Sequence, residues 1–176
     1  MKYLVKFFVV TFLLLVSMHV SAEAESKIVY LDMKFILNNS KAGKGAQDFL
    51  QKSFKENQKK FSDEEKNLKK EENDLLAKKA NLTKEEYQKK TDDLRKKVID
   101  YQSQRRLSLE KIANQRTEGR KKLLETLDPI LNNYIKENNI SMVIDKKNVL
   151  GGQSELDITD IIVEKLNKEL PSVNLK

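Results

Sequence analysis

Few side chains in this sequence could make or break covalent bonds. The 176 residues include no Cys and a single His, His19, which lies in an N-terminal segment that we expect to be removed. Without imidazole or thiol, the remaining chain has no His-assisted nucleophile and no thiolate metal site. We find no paired-carboxylate or Ser-Lys arrangement, and Gly43-Lys44-Gly45 lacks the spacing of a phosphate-binding loop. We therefore expect no enzymatic activity, no cofactor and no bound metal.

A second group of side chains has a spacing suited to binding another polypeptide without covalent chemistry. One apolar series recurs every seven residues, a second series continues in a new phase, and two arginines follow: Phe54, Phe61, Leu68, Leu75, Leu82, Tyr87, Leu94, Tyr101, Arg105 and Arg106. The apolar members would contact apolar parts of a partner, and the arginines its acidic groups. The same apolar spacing also forms the seam between two packed helices, so the pattern leaves both interpretations open.

Positive charge is concentrated in one part of the chain. Residues 41–125 hold 24 basic and 16 acidic side chains, a balance of +8, whereas residues 23–40 and 126–176 hold 8 basic and 11 acidic ones, a balance of −3. A positive surface favours acidic partners, namely nucleic acid, anionic lipid or acidic polypeptide.

Residues 1–22 have the three parts of a secretory signal peptide. Lys2 and Lys6 flank the start, an apolar run follows at residues 7–16, and small residues end the segment at Ala22. The run is shorter than the roughly 20 residues of a transmembrane helix, although an uncleaved membrane anchor is the alternative. We predict cleavage after Ala22, or after Ala24, and location outside the cytoplasm, which argues against nucleic acid as a partner.

Residues 41–125 should form a long helical arm that positions the spaced side chains. The segment has no Pro, is rich in Lys, Glu and Gln, and repeats its apolar residues at helical spacing. Near the change of phase, Asn81 can end one helix, and Thr83 with Glu86 can open another as a capping box. We predict an antiparallel hairpin with its tip near residues 80–84. The alternative is one unbroken helix in a parallel coiled coil.

Residues 23–40 and 126–176 should form a β-rich body. Residues 27–32 and 140–145 are rich in β-branched residues and predict strands buried on both faces. A third strand is expected at residues 148–150, and a last helix after Asp157. Pro129 either kinks or restarts the helix that leads into this body.

The body is too small to cover both faces of such strands. Small domains without disulfides or metals commonly obtain the missing core by oligomerisation. We therefore expect strands from several copies to join in one sheet or barrel, through Ile28, Val29, Tyr30, Leu31, Met142, Val143 and Ile144.

The two strand segments resemble those of the Skp/OmpH family. Residues 27–33 are similar to its opening strand, and residues 140–145 with Asp157-Ile158-Thr159 are similar to its closing strand and helix entry. The resemblance implies an α+β fold in which a long antiparallel helical hairpin arm projects from a small β-barrel body built by a homotrimer. It also implies a chaperone that encloses unfolded outer-membrane proteins before membrane insertion.

We therefore expect an ATP-independent periplasmic holding chaperone whose cavity lies between basic helical arms. Unfolded outer-membrane proteins are the expected clients, and anionic lipid or lipopolysaccharide is a further candidate partner. A coiled-coil structural adaptor of the cell envelope is the alternative, and it would differ in having a fixed partner and rigid arms.

Overall fold

The computed structural model describes residues 26–175, so the predicted signal peptide lies outside the described residues. The elements, in chain order, are strand β1 (Lys27–Leu31), helix α1 (Met33–Asn39), helix α2 (Lys41–Lys78), helix α3 (Lys84–Glu137), strand β2 (Ile140–Asp145) and helix α4 (Thr159–Glu169). Short 3-10 turns lie at Lys79–Asn81, Lys146–Asn148 and Ser154–Leu156. Within residues 26–175, no helix has both the length and the apolar character needed to cross a membrane.

Helices α2 and α3 form the predicted antiparallel hairpin. The turn at Lys79–Asn81 ends the first helix, and Thr83 caps the second. The predicted capping box is confirmed, because the Glu86 N–H donates to Thr83 Oγ1 at 3.2 Å and the Thr83 N–H donates to Glu86 Oε2 at 2.9 Å. These bonds satisfy two N–H groups that have no partner within the helix. The alternative of one unbroken helix is therefore excluded.

A sharp junction at Ser40 separates α1 from the arm. Ser40 has an extended ψ of 155° and is fully buried, and its hydroxyl accepts a hydrogen bond from the Gly43 N–H at 3.1 Å. A Cβ at Gly43 would lie only 2.0 Å from the Leu37 carbonyl oxygen. The direction in which the arm leaves the body therefore depends on the absence of a side chain at this position.

Helix α3 continues from the arm into the body without a break. Pro129 lies inside this helix, which runs on to Glu137. Pro129 therefore does not restart the helix, although it cannot donate the usual backbone hydrogen bond. Just past the helix end, Asn139 has a φ of 51°, a left-handed conformation that Asn tolerates better than most residues.

The sheet of the described chain has two parallel strands and is not a closed barrel. Ile28 pairs with Met142, Val29 with Val143 and Tyr30 with Ile144. The expected third strand at residues 148–150 was wrong. The Asp145 side chain accepts a hydrogen bond from the Lys147 N–H, which ends β2 in a 3-10 turn at Lys146–Asn148. A single bridge between Tyr30 and Asp157 lies on the other side of β1.

The main core lies between one face of the sheet and helices α1, α3 and α4. Its most completely buried large side chains are Val29, Ile36, Leu127, Ile162 and Leu166. The opposite face of the sheet is open within one chain, since Ile28 and Met142 remain 45% and 55% exposed. A single copy therefore buries only one of the two faces of the sheet, because the chain supplies helices to one side only.

Candidate functional site

The arm presents its positive charge mainly on solvated helix faces. Lys52 and Glu56, and Lys121 and Glu125, are ion pairs of 3.9 Å within one helix turn. Such exposed pairs contribute only about 0.3–0.5 kcal/mol each. One pair links the two helices, because Lys97 Nζ lies 2.6 Å from Glu71 Oε2.

Four arginines of α3 differ from these paired lysines. Arg105 and Arg106 are exposed in the middle of the arm, and Arg116 and Arg120 are exposed near its base. In the part of the chain that the structure describes, none of the four lies within 4.0 Å of a carboxylate oxygen. Their guanidinium groups are therefore accessible to an acidic partner without first breaking an ion pair.

Two members of the predicted apolar series form a buried contact across the hairpin. The rings of Phe61 and Tyr101 meet edge to face, with centroids 6.0 Å apart and planes at 69°. They are only 6% and 8% exposed, and Tyr101 donates a long hydrogen bond of 3.4 Å to Glu65. This pair belongs to the seam between the helices.

The other apolar members lie along the same seam but are less covered. Phe54 is 48% exposed. The half-buried members are Leu68, Leu75, Leu82, Tyr87 and Leu94. The seam is thus closed at Phe61 and Tyr101 and remains accessible elsewhere.

Three grooves bring these residues together with charged groups. The base groove, of about 680 Å³, is lined by Leu50, Phe54, Ile112, Arg116, Arg120 and Leu123, among others. The middle groove joins Phe54, Phe61, Tyr101, Arg105 and Leu109, and the outer groove joins Leu75, Leu82, Leu94 and Lys97. Leu68, Tyr87 and Arg106 are not among the residues lining any of them. The base and middle grooves therefore combine apolar walls with arginine.

Sequence reasoning missed several exposed apolar side chains of the arm. Leu76, Ile99, Leu107 and Leu109 are 55%, 57%, 54% and 47% exposed. They lie outside the two seven-residue series, because those series follow the seam. A search for apolar residues out of phase with the seam would have found them.

The open face of the sheet is the second candidate binding surface. Val29 and Leu31 face the core and are 1% and 2% exposed, whereas Ile28 and Met142 face outward as a register pair. Tyr30, Val143 and Ile144 are half-buried. The outer edge of β2 has no neighbouring strand among the described residues.

A network of polar groups holds the loop that runs beside β1. Lys146 Nζ lies 2.7 Å from Asp157 Oδ2 and 5.9 Å from the centre of the Tyr30 ring. Burial would raise the pKa of Asp157, but hydrogen bonds from Lys146 and Thr159 outweigh this effect and lower that pKa. The hydrogen bond to Asp157 raises the pKa of Lys146.

The described residues, 26–175, contain no cluster of three or more side chains that could together bind a metal ion.

Comparison with known proteins identifies the family of the chain. Residues 27–166 match the model of the family described as outer membrane protein (OmpH-like). No curated protein sequence matches the chain. The fold is similar to the crystal structure of a candidate outer membrane chaperone (OmpH-like) from Caulobacter crescentus CB15, with a TM-score of 0.77 at 17% identity, covering 85% of this chain and 88% of that one. The chain therefore belongs to the OmpH-like outer membrane protein family.

Proposed function

We propose that this protein is an ATP-independent holding chaperone of the periplasm, which it reaches through a cleaved signal peptide. It binds unfolded outer-membrane proteins and keeps them from aggregating before membrane insertion. The observation that carries the proposal is the combination of half-open apolar grooves with unpaired arginines along the arm. Many weak contacts of this kind hold a flexible chain without one strong site.

The proposal divides the chain into a body, residues 23–40 and 126–176, and an arm, residues 41–125. Three copies would join their bodies through Ile28, Met142 and the outer edge of β2 to close a small barrel. The exposed apolar pair on the sheet and the unpaired strand edge support this assembly, because both are unfavourable in a lone chain. The three arms would then enclose a basic cavity.

We assign client contacts to side chains of the arm according to how exposed they are as well as to their spacing in the sequence. Phe54 and the half-buried seam residues can contact a client directly, together with Arg105 and Arg106. Leu107 and Leu109 extend this surface. Phe61 and Tyr101 act mainly by holding the helices together, since their rings are already covered. Anionic lipid or lipopolysaccharide would use the same arginines, whereas nucleic acid is not proposed as a partner.

The first experiment measures light scattering after a urea-unfolded outer-membrane barrel protein is diluted into buffer with the mature protein and no nucleotide. Suppressed scattering, together with a trimeric mass of the protein itself, is the expected result. If the barrel protein aggregates as fast as it does alone, the holding function is wrong and the envelope adaptor becomes the better hypothesis. A monomeric mass would exclude the shared cavity.

A charge variant tests the role of the arginines. Replacing Arg105, Arg106, Arg116 and Arg120 by Gln should weaken client binding by about tenfold at low salt, with little effect near 1 M salt, because screening already removes the attraction there. The matched control carries the same change of net charge at residues that already have an acidic partner: Lys52, Lys66, Arg95 and Lys121. Equal losses in both variants would show that only the overall field matters.

A further inference from the structure

The segment after the last helix folds back onto the base of the arm. Helix α4 ends at Glu169, and Pro171 cannot continue it because it lacks a backbone N–H. Leu170, held in a non-helical conformation with φ −131° and ψ 81°, directs the chain away from the helix axis. Residues 171–175, which we call the tail, lie beyond the region matched by the family model.

Two side chains of the tail that are two positions apart, Val173 and Leu175, face the protein. Leu175 is 6% exposed and forms a small apolar cluster with Ala46, Leu50 and Ile112. Val173 packs against both this cluster and the main core, whereas Asn174 between them is exposed. This is the side-chain pattern of an extended strand, in which every second residue faces the same side.

The arm holds the tail through its backbone as well. The Gln115 side-chain amide donates a hydrogen bond to the Leu175 carbonyl, and Lys122 Nζ donates one of 3.5 Å to the Asn174 carbonyl. Carbonyl groups are present in every residue, so these bonds do not depend on the side chains of the bound segment. The arm therefore contacts the tail through two backbone carbonyls and through the apolar side chains of Val173 and Leu175.

Small residues on both helices make room for the bound side chain. Gly119 of α3 lies beside Ala46 of α2, and a Cβ at Gly119 would lie 3.3 Å from Leu175 Cδ2. Any larger side chain at 119 would enter the space of the Leu175 side chain. Beyond Leu175, a groove of about 450 Å³ continues along α3 past Lys111 to the exposed Leu107. The site can thus hold a longer extended segment than the tail itself.

We propose that this arm-base site binds extended polypeptide segments with apolar residues at every second position, and that the tail occupies it as an internal competitor. Strands of outer-membrane barrels alternate apolar and polar residues in this way. In an unfolded client these segments are not yet paired with one another, so an extended binding site is able to take them up. The proposal rests on the proposed holding function. A client strand with this pattern binds well enough to displace the tail. Segments that lack the pattern bind too weakly to displace it and are excluded.

The test uses a fluorescent peptide with the sequence of residues 170–176 and measures its anisotropy with two proteins. A variant lacking residues 171–176 should bind the peptide, and the full mature chain should bind it at least about tenfold more weakly, because a tethered tail acts at a millimolar effective concentration. The full-length variant Leu175→Asp should bind like the shortened chain, which tests the tail without truncation. Equal binding to all three proteins, or to none, would overturn the proposal.

Two controls locate the binding and identify its occupant. Gly119→Leu in the shortened chain should abolish peptide binding while circular dichroism shows unchanged helicity, and a peptide with Ser in place of Val173 and Leu175 should not bind. An unlabelled peptide from a barrel strand should displace the fluorescent peptide, and a helical amphipathic peptide should not. If the barrel-strand peptide does not displace it, the tail is a structural strap only and the client part is wrong.

The holding assay separates this inference from the proposed function. Suppressed aggregation without displacement of the tail peptide would refute only the arm-base site. Displacement without suppressed aggregation would refute the holding function and leave a peptide-binding site.

Discussion

The base of the molecule and the outer arm are both built from helices, yet they are packed in different ways. In the base, Ile36, Ile162 and Leu166 are fully buried, and α1, α3 and α4 cover one face of the sheet. In the outer arm, by which we mean residues 54–105, only Phe61 and Tyr101 are buried among the predicted seam residues. Close packing defines a single arrangement, whereas a partly filled seam allows several of similar energy. The base therefore fixes where the arm starts, whereas the arm beyond it can change shape, as the proposed binding of different clients requires.

The largest expected effect comes from shortening a buried side chain in the base. Leu166→Ala should lower the free energy of unfolding by about 2–5 kcal/mol, because it leaves a cavity in a fully buried site. The matched change in the arm, Leu75→Ala, should cost less than about 1 kcal/mol, since Leu75 is half-buried. Urea denaturation followed by circular dichroism measures both. Similar losses would mean that the arm seam is as well packed as the core.

A second test concerns the one closed contact of the outer arm. Phe61→Ala should cost roughly 2–3 kcal/mol, from lost burial and the edge-to-face contact with Tyr101. Hydrogen exchange should increase in the arm amides around residues 55–107 and stay unchanged in β1 and β2. Phe54→Ala is the control, with a smaller effect because its ring is 48% exposed. Faster exchange in the strands as well would show that arm and base unfold as one unit.

The junction between the two regions gives a third test, with a pair of glycines two residues apart. Gly43→Ala should destabilise the protein by about 1–3 kcal/mol, because its Cβ would collide with the Leu37 carbonyl oxygen. Gly45→Ala should instead stabilise it by up to about 1 kcal/mol, since nothing lies within 4 Å and Ala is the better helix former. Thermal denaturation compares them. Two changes of the same sign would contradict the tight junction at Ser40.

The sequence predicted the features that depend on near neighbours in the chain. The hairpin and its capping box follow from helix-forming residues and from Thr83 with Glu86, which are three positions apart. The strands follow from their β-branched runs. Neither prediction needs information about distant residues.

The features that the sequence did not predict depend on contacts between residues far apart in the chain. The residues around Gly119 and Leu175 lie on different elements, and nothing in either segment alone indicates that they meet. The prediction of a third strand was wrong because the Asp145 side chain accepts a hydrogen bond from the Lys147 N–H, and the chain turns there. Likewise, the seven-residue spacing identified the seam but not which of its members are covered, which depends on how far apart the two helices lie.

The smallest expected effect lies at the arm tip, farthest from the base. Thr83→Ala removes the cap of α3 and should cost about 1 kcal/mol, seen as faster exchange of the tip amides only. Thr91→Ala is the control: its hydroxyl donates to the Tyr87 carbonyl inside the helix, where Ala is equally compatible. Loss of protection in the base of the Thr83 variant would contradict the independence of the two regions.

The same cap makes the tip sensitive to acid. The backbone and side-chain hydrogen bonds from Thr83 lower the pKa of Glu86 below its ordinary value of 4.5, outweighing the small opposing effect of burial. Folding therefore favours the ionised carboxylate, so its contribution to tip stability is complete above pH 4.5 and is lost as the pH falls through the lower folded pKa. Tip exchange, corrected for its intrinsic pH dependence, should accelerate below pH 4.5, and Glu86→Gln should remove that dependence because Gln stays neutral and can still close the capping box. A pH dependence that persists in the Gln variant would assign the effect to another carboxylate of the arm.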